Sequence, residues 1–129
     1  MTKTVDEYNV LIKLKQEQVE ELLSEKRKLR NLENEYENII HRTTHLNNQL
    51  IERYYDSQLF ISIEQNNTLF HSQQRLLMEE LYNQQNDIEK DIRRLNEDIE
   101  DIERERYLAS QTDHERRKHH EYRYVFKKC

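Results

Sequence analysis

The chain has 129 residues, 34% hydrophobic and 36% charged, with a formal net charge of −5 and neither glycine nor proline. Soluble domains average about 45–50% apolar and about 25% charged residues, so the apolar material here is too scarce for a core of several layers. It suffices for a narrow seam between two helices, and the modest negative charge points to solubility rather than to a nucleic-acid partner.

Glycine and proline punctuate chains, one by supplying positive-φ turn residues and the other by breaking helices. Ordinary usage would place them at about 12% of the residues. Their absence predicts one or two very long helices, about 190 Å as a single rod or about 95 Å when folded back once at 1.5 Å per residue. Disorder, the competing reading of so polar a chain, is countered by the regular spacing of the apolar residues. The single cysteine, Cys129, allows no internal disulfide and gives no sign of an oxidising compartment. No apolar run approaches the ~18 residues of a membrane span, and the segment Met1 to Glu7 has no signal-peptide core, so the cytosol is the simplest location.

The first half reads as a heptad seam through Val5, Tyr8, Ile12, Lys15, Val19, Leu22, Lys26 and Leu29. It resumes at Leu32, Tyr36, Ile39, Thr43, Leu46 and Leu50, and two successive steps of three at Leu29 make a stammer. The adjoining basic run from Lys26 to Arg30 reads as a solvated helix face. In the middle, residues 54–63 crowd aromatic and β-branched groups that are mediocre helix formers. Glu64 to Thr68 follows, with Asn66 and Asn67 as the best substitutes for glycine in a left-handed turn residue, and Asn67, Thr68 or Ser72 as caps of a second helix.

The second half carries its own seam through Phe70, Leu77 with Met78, Leu81, Gln85, Ile88, Ile92, Leu95, Ile99, Ile102, Arg106 and Ala109. Its outer faces are acidic, with eleven acidic residues against four basic ones between Glu79 and Glu105. The expected fold is therefore all-α, a long antiparallel two-helix coiled-coil hairpin in one domain, 1–129. Helix 1 is expected over about 3–63, a turn over about 64–68 and helix 2 over about 69–127, in preference to one continuous helix. Folding about Asn66 and Asn67 sets residue i opposite residue 133 − i, with Leu50 near Asn83 and Ile39 near Arg94 and Leu95.

That alignment leaves an imbalance at the open end. Beyond Ala109 the second seam is occupied by Asp113, Arg116 and His120, while the first helix stays apolar through Val10, Leu11, Ile12, Leu14, Val19, Leu22 and Leu23. Tyr122, Tyr124, Val125 and Phe126 add an aromatic group within a basic segment. Such an end suits a partner, with self-association or fraying as the alternatives. At the tip, Leu59, Phe60, Ile61 and Ile63 cannot all face one seam, so the stretch is either a second surface or packs locally.

Chemistry-bearing motifs are sparse. A two-helix hairpin encloses no ligand-sized pocket, and a glycine-rich phosphate cradle needs glycine. His41 and His45 have a zinc-compatible spacing of four but no Glu or Cys completes a credible set, and His114, His119 and His120 stand among Arg116, Arg117 and Lys118, which repel a cation. Paired carboxylates need burial to separate their pKa values, and here they line a wet surface. The expectation is a non-enzyme with no metal and no cofactor. A basic-aromatic tail can meet phosphates and bases, but the acidic helix beside it argues against nucleic acid and for an acidic protein cavity or collar.

The run Asp87-Ile88-Glu89-Lys90-Asp91-Ile92-Arg93-Arg94-Leu95, continuing through Glu115-Arg116-Arg117-Lys118 to Tyr122, resembles the FliJ/YscO family in layout. These are the central stalk proteins of flagellar and virulence type III secretion systems. The resemblance implies a hairpin similar to the coiled coil of the rotary-ATPase γ subunit, cytoplasmic and peripheral to an inner-membrane secretion apparatus. It implies that the terminal end enters the pore of a hexameric secretion ATPase and that the protein links this ATPase to an export gate protein. By position, the ATPase-facing end then comprises Val5, Tyr8, Leu11, Ile12, Arg116, Arg117, Tyr122 and Phe126. The tip, with Phe60, Ile61, Ile63 and Phe70, faces the export gate or secretion chaperones. A generic homodimeric coiled-coil scaffold is the alternative reading, and a basic-tailed nucleic-acid adaptor a third.

Overall fold

A computed structural model describes the backbone of residues 3–128 and the side chains of residues 3–112. Two helices, α1 (Val5–Tyr54) and α2 (Phe60–Lys128), account for almost all of it, and no strand occurs among the described residues. They pack against each other as an all-α helical hairpin. The start of α1 is a reciprocal cap: Glu7 N donates to Thr4 Oγ1 at 3.2 Å and Thr4 N donates to the Glu7 carboxylate at 3.3 Å. This satisfies two amide donors that have no partner in the first helical turn.

The corner lies at 55–59, about nine residues earlier than the turn expected at 64–68. It is built on Ser57. The Ser57 amide donates to the Tyr54 carbonyl at 2.9 Å, and its hydroxyl donates to the same carbonyl at 2.8 Å. Toward α2, Leu59 N donates to Ser57 Oγ at 3.2 Å and Phe60 N to the Ser57 carbonyl at 3.2 Å. One small hydroxyl side chain thus ties the end of one helix to the start of the next. No described residue has a positive φ, so the chain turns without the left-handed residue that made Asn66 and Asn67 attractive. Both asparagines are helical, and Asn67 is half-buried against α1.

The chain divides into two compact units, residues 1–23 with 90–129 and residues 24–89. In the first, α1 contributes Val5, Tyr8, Ile12, Lys15, Val19 and Leu22 to the seam, and α2 contributes Ile92, Leu95, Ile99, Ile102, Arg106 and Ala109. Ile12 and Ile99 are its buried centre, at 6% and 9% exposure. Lys15 Nζ meets Asp98 Oδ2 at 3.5 Å, and Arg106 donates to Asn9 Oδ1 at 2.9 Å across the pair.

In the second unit the buried centre is Leu81, at 5% exposure. Three polar contacts cross between the helices: Lys26 to Glu89 at 3.1 Å, Gln85 Nε2 to Glu33 Oε2 at 2.7 Å, and Asn47 Nδ2 to Asn67 Oδ1 at 3.0 Å. In the five polar cross-helix contacts among the described residues the two residue numbers total between 113 and 118, so the expected 133 − i register is replaced by one displaced by more than two heptads. The displacement matches the earlier corner.

The seam on α1 also takes a different path beyond Leu29. It continues in unbroken steps of three and four through Glu33, Tyr36, Ile40, Thr43 and Asn47, then Ile51 and Tyr54, all at least half-buried. The expected stammer is absent. Leu32, Ile39, Leu46 and Leu50, assigned to the seam by their apolarity, lie exposed beside it. The reason is polar pairing: Glu33 and Asn47 hold seam positions because Gln85 and Asn67 satisfy them from α2. On α2 the seam through Leu77, Leu81 and Gln85 takes two successive steps of four, the local unwinding opposite to a stammer.

Two substitutions test the corner. Ser57→Ala removes the hydroxyl that serves both helix ends and should lower stability by about 1 kcal/mol in thermal melts followed by circular dichroism. Asn66→Ala, exposed within α2, should instead raise it by up to about 0.5 kcal/mol through helix propensity. The reverse order would return the corner to the asparagines.

Candidate interaction surfaces

At the terminal end, α1 positions Val5, Tyr8, Leu11 and Ile12 in its first two turns after the cap. Val5, Tyr8 and Leu11 are half-buried, whereas Ile12 sits in the seam as the most buried side chain of its helix. Ile12 therefore holds the pair together and is not presented to a partner. Among the described residues, the accessible apolar side chains here are Val10 and Leu14 on α1, at 59% and 52% exposure, and Tyr107 and Leu108 on α2, both at 63%. The Tyr107 hydroxyl accepts a hydrogen bond from Gln111 Nε2 at 2.8 Å. Val10 and Leu14 are legible in the sequence as apolar residues off the 3–4 rhythm, four apart on one face. The side chains of Arg116, Arg117, Tyr122 and Phe126 lie outside the described residues.

At the other end the turn presents Tyr55 and Leu59, and Ile61 follows in the first turn of α2; all three are more than half exposed. Phe60, Ile63 and Phe70 occupy half-buried seam positions, and the Phe70 ring lies 5.6 Å from that of His71, tilted. Of the four tip residues named from the sequence, Ile61 alone is exposed. Tyr55 and Leu59 are exposed with Ile61 at the turn, whereas Phe70 is not, because the corner comes before Phe60 rather than after Ile63.

A shallow open groove of about 430 Å³ runs along α2 between His71, Gln74, Arg75, Met78, Glu79 and Tyr82. All six belong to one helix face. Gln74 Oε1, at a seam position, is buried without a hydrogen-bond partner. Among the described residues no group of three or more His, Cys, Asp and Glu side chains is placed to hold a metal ion. His45 Nε2 is taken by Gln49 Nε2 at 3.2 Å, and His41 is exposed. No helix among the described residues is long and apolar enough to cross a membrane.

Fold and surface together define a two-helix hairpin whose accessible features are apolar side chains set among charged ones. No protein-family model, characterised protein or solved structure matches the chain.

Burial separates two kinds of apolar residue at the terminal end, and a pair of truncations tests the division. Ile12→Ala should cost about 2–3 kcal/mol in urea unfolding, through lost burial and an unfilled space. Leu14→Ala should remain within about 0.5 kcal/mol of the parent, as exposed positions do. Equal effects would mean that Ile12 is not part of the seam.

Proposed function

We propose that this chain is a non-enzymatic stalk of a type III secretion system. Its terminal end enters the pore of the hexameric secretion ATPase and couples that ATPase to the export gate. The observation that carries the reading is the unequal length of the helices. α1 has 50 residues and α2 has 69. With facing residue numbers totalling about 115, the capped start of α1 stands opposite about residue 110, whereas α2 continues to Lys128. A segment of α2 carrying Arg116, Arg117, Lys118, Tyr122, Tyr124, Phe126, Lys127 and Lys128 therefore runs past the first residue of its partner helix.

A helix that outruns its partner suits a channel too narrow for a broader fold, and its basic groups suit an acidic collar around that channel. The aromatic residues supply apolar area for a firm contact once the segment is inside. Coupling then requires that the ATPase and the second partner each bind one conformational state of the machine better than another, with the hairpin touching both. The turn end, with Tyr55, Leu59 and Ile61 exposed, is the surface offered to the export gate or to secretion chaperones. The working location is cytoplasmic, beside the inner-membrane apparatus. A homodimeric coiled-coil scaffold is the second reading, favoured by the exposed apolar residues at Leu32, Ile39, Leu46 and Leu50.

A purified hexameric secretion ATPase provides the test. The chain should stimulate its hydrolysis, and Tyr122→Ala with Phe126→Ala should abolish stimulation while circular dichroism shows unchanged helicity. Full stimulation by that double variant would refute the assignment of the terminal end. No stimulation by the parent chain would favour the scaffold.

A further inference from the structure

Between residues 32 and 50, α1 carries a second apolar row that the hairpin does not use. Leu32, Ile39 and Leu46 are each one heptad apart, at 37%, 52% and 57% exposure, and Leu50 extends the row at 41%. The row borders the seam on one side, since Tyr36 and Thr43 are half-buried against α2. On its other side stand Lys28, Glu35, Arg42 and Gln49, also one heptad apart and all exposed. A helix with seam positions and an adjacent apolar row has the wide face of a bundle helix rather than the narrow stripe of a two-stranded coil.

We propose that this face pairs with the same face of a second copy, antiparallel, about a twofold axis through Ile39, so that two hairpins form a four-helix bundle across this stretch. The pattern is self-complementary. When Ile39 meets Ile39 of the other copy, facing residue numbers total 78, which sets Leu32 against Leu46 and Leu46 against Leu32. The flanking row then brings Glu35 beside Arg42 and Arg42 beside Glu35, at a total of 77, with Lys28 beside the neutral Gln49. Each like-charge alternative is avoided. A twofold interface requires a surface complementary to itself, and Leu32, Ile39 and Leu46 meet that condition in size while Glu35 and Arg42 meet it in charge. Glu35 and Arg42 take no part in the ion pairs formed among the described residues, so both remain available. The interface uses only residues of the unit 24–89 and does not depend on what binds the termini.

Sedimentation equilibrium of the full chain under reducing conditions, from about 1 to about 300 µM, tests this across the range expected for a small interface. The parent chain should approach twice its 16.1 kDa mass as concentration rises. Ile39→Glu should hold it at the monomer mass with unchanged helicity. Glu35→Arg and Arg42→Glu should each weaken the dimer roughly tenfold, because each single change converts two attractive pairs into two repulsive ones. Combining them restores opposite charges, and the dimer should return to near the parent affinity. A parent chain that stays monomeric, a dimer indifferent to Ile39→Glu, ineffective single swaps, or a double swap no better than the singles would each overturn the proposal. None of these outcomes depends on ATPase stimulation, so this interface and the stalk reading can fail separately.

Discussion

The hydrogen bond between Asn47 and Asn67, set inside a seam of otherwise mostly apolar or amphipathic side chains, constrains the rest of the hairpin. Heptads alone allow two helices to slide by seven residues and recover similar apolar contacts. A slide of that size in either direction breaks both pairs and sets three of these four residues against apolar or aromatic side chains, among them Ile40, and each unmet buried polar group costs about 1–3 kcal/mol. The two polar pairs therefore select one register among several. That register puts the corner at Ser57, carries α2 past the start of α1, and rotates Leu32, Ile39 and Leu46 out of the seam.

The apolar contribution to the hairpin is spread thinly. Among the described residues only Ile12, Leu81 and Ile99 are buried, and most seam side chains keep partial contact with water. The cross-helix ion pairs at Lys15 and Lys26 are also partly exposed, and pairs of that kind contribute about 0–1 kcal/mol each. Stability in each unit therefore comes from many small contacts along two helices. Such a design leaves apolar side chains outside the seam at modest cost, because a narrow pair has no second layer to cover them. Those side chains are the raw material of the surfaces through which a hairpin acts.

Much of the architecture is legible in the sequence because it depends on local pattern. The lack of glycine and proline and the 3–4 spacing of Val5 to Leu29 and of Phe70 to Ala109 yield two long helices before any contact is known. Where the reading fails, it fails on polar residues. Choosing Leu32 over Glu33 and Leu46 over Asn47 assumes that apolar side chains own the seam, which holds only while no partner satisfies the polar ones. Tyr54 and Tyr55 already belong to the stretch of mediocre helix formers, yet Asn66 and Asn67 draw the eye because they tolerate a left-handed conformation that this corner never uses. The candidate surfaces shift with the corner: Ile12 becomes core, and Tyr55 and Leu59 become exposed at the turn.

By itself the sequence determined the class of fold, since helix formation and amphipathic spacing are properties of neighbouring residues along one chain. The tertiary structure decided the register, the corner and the identity of the exposed apolar rows. Each of these depends on which residue stands opposite which, and Glu33 with Gln85 or Asn47 with Asn67 are partners separated by 52 and 20 positions. A periodic pattern repeats at every heptad and cannot distinguish one pairing from the next, whereas a hydrogen bond between two particular side chains can.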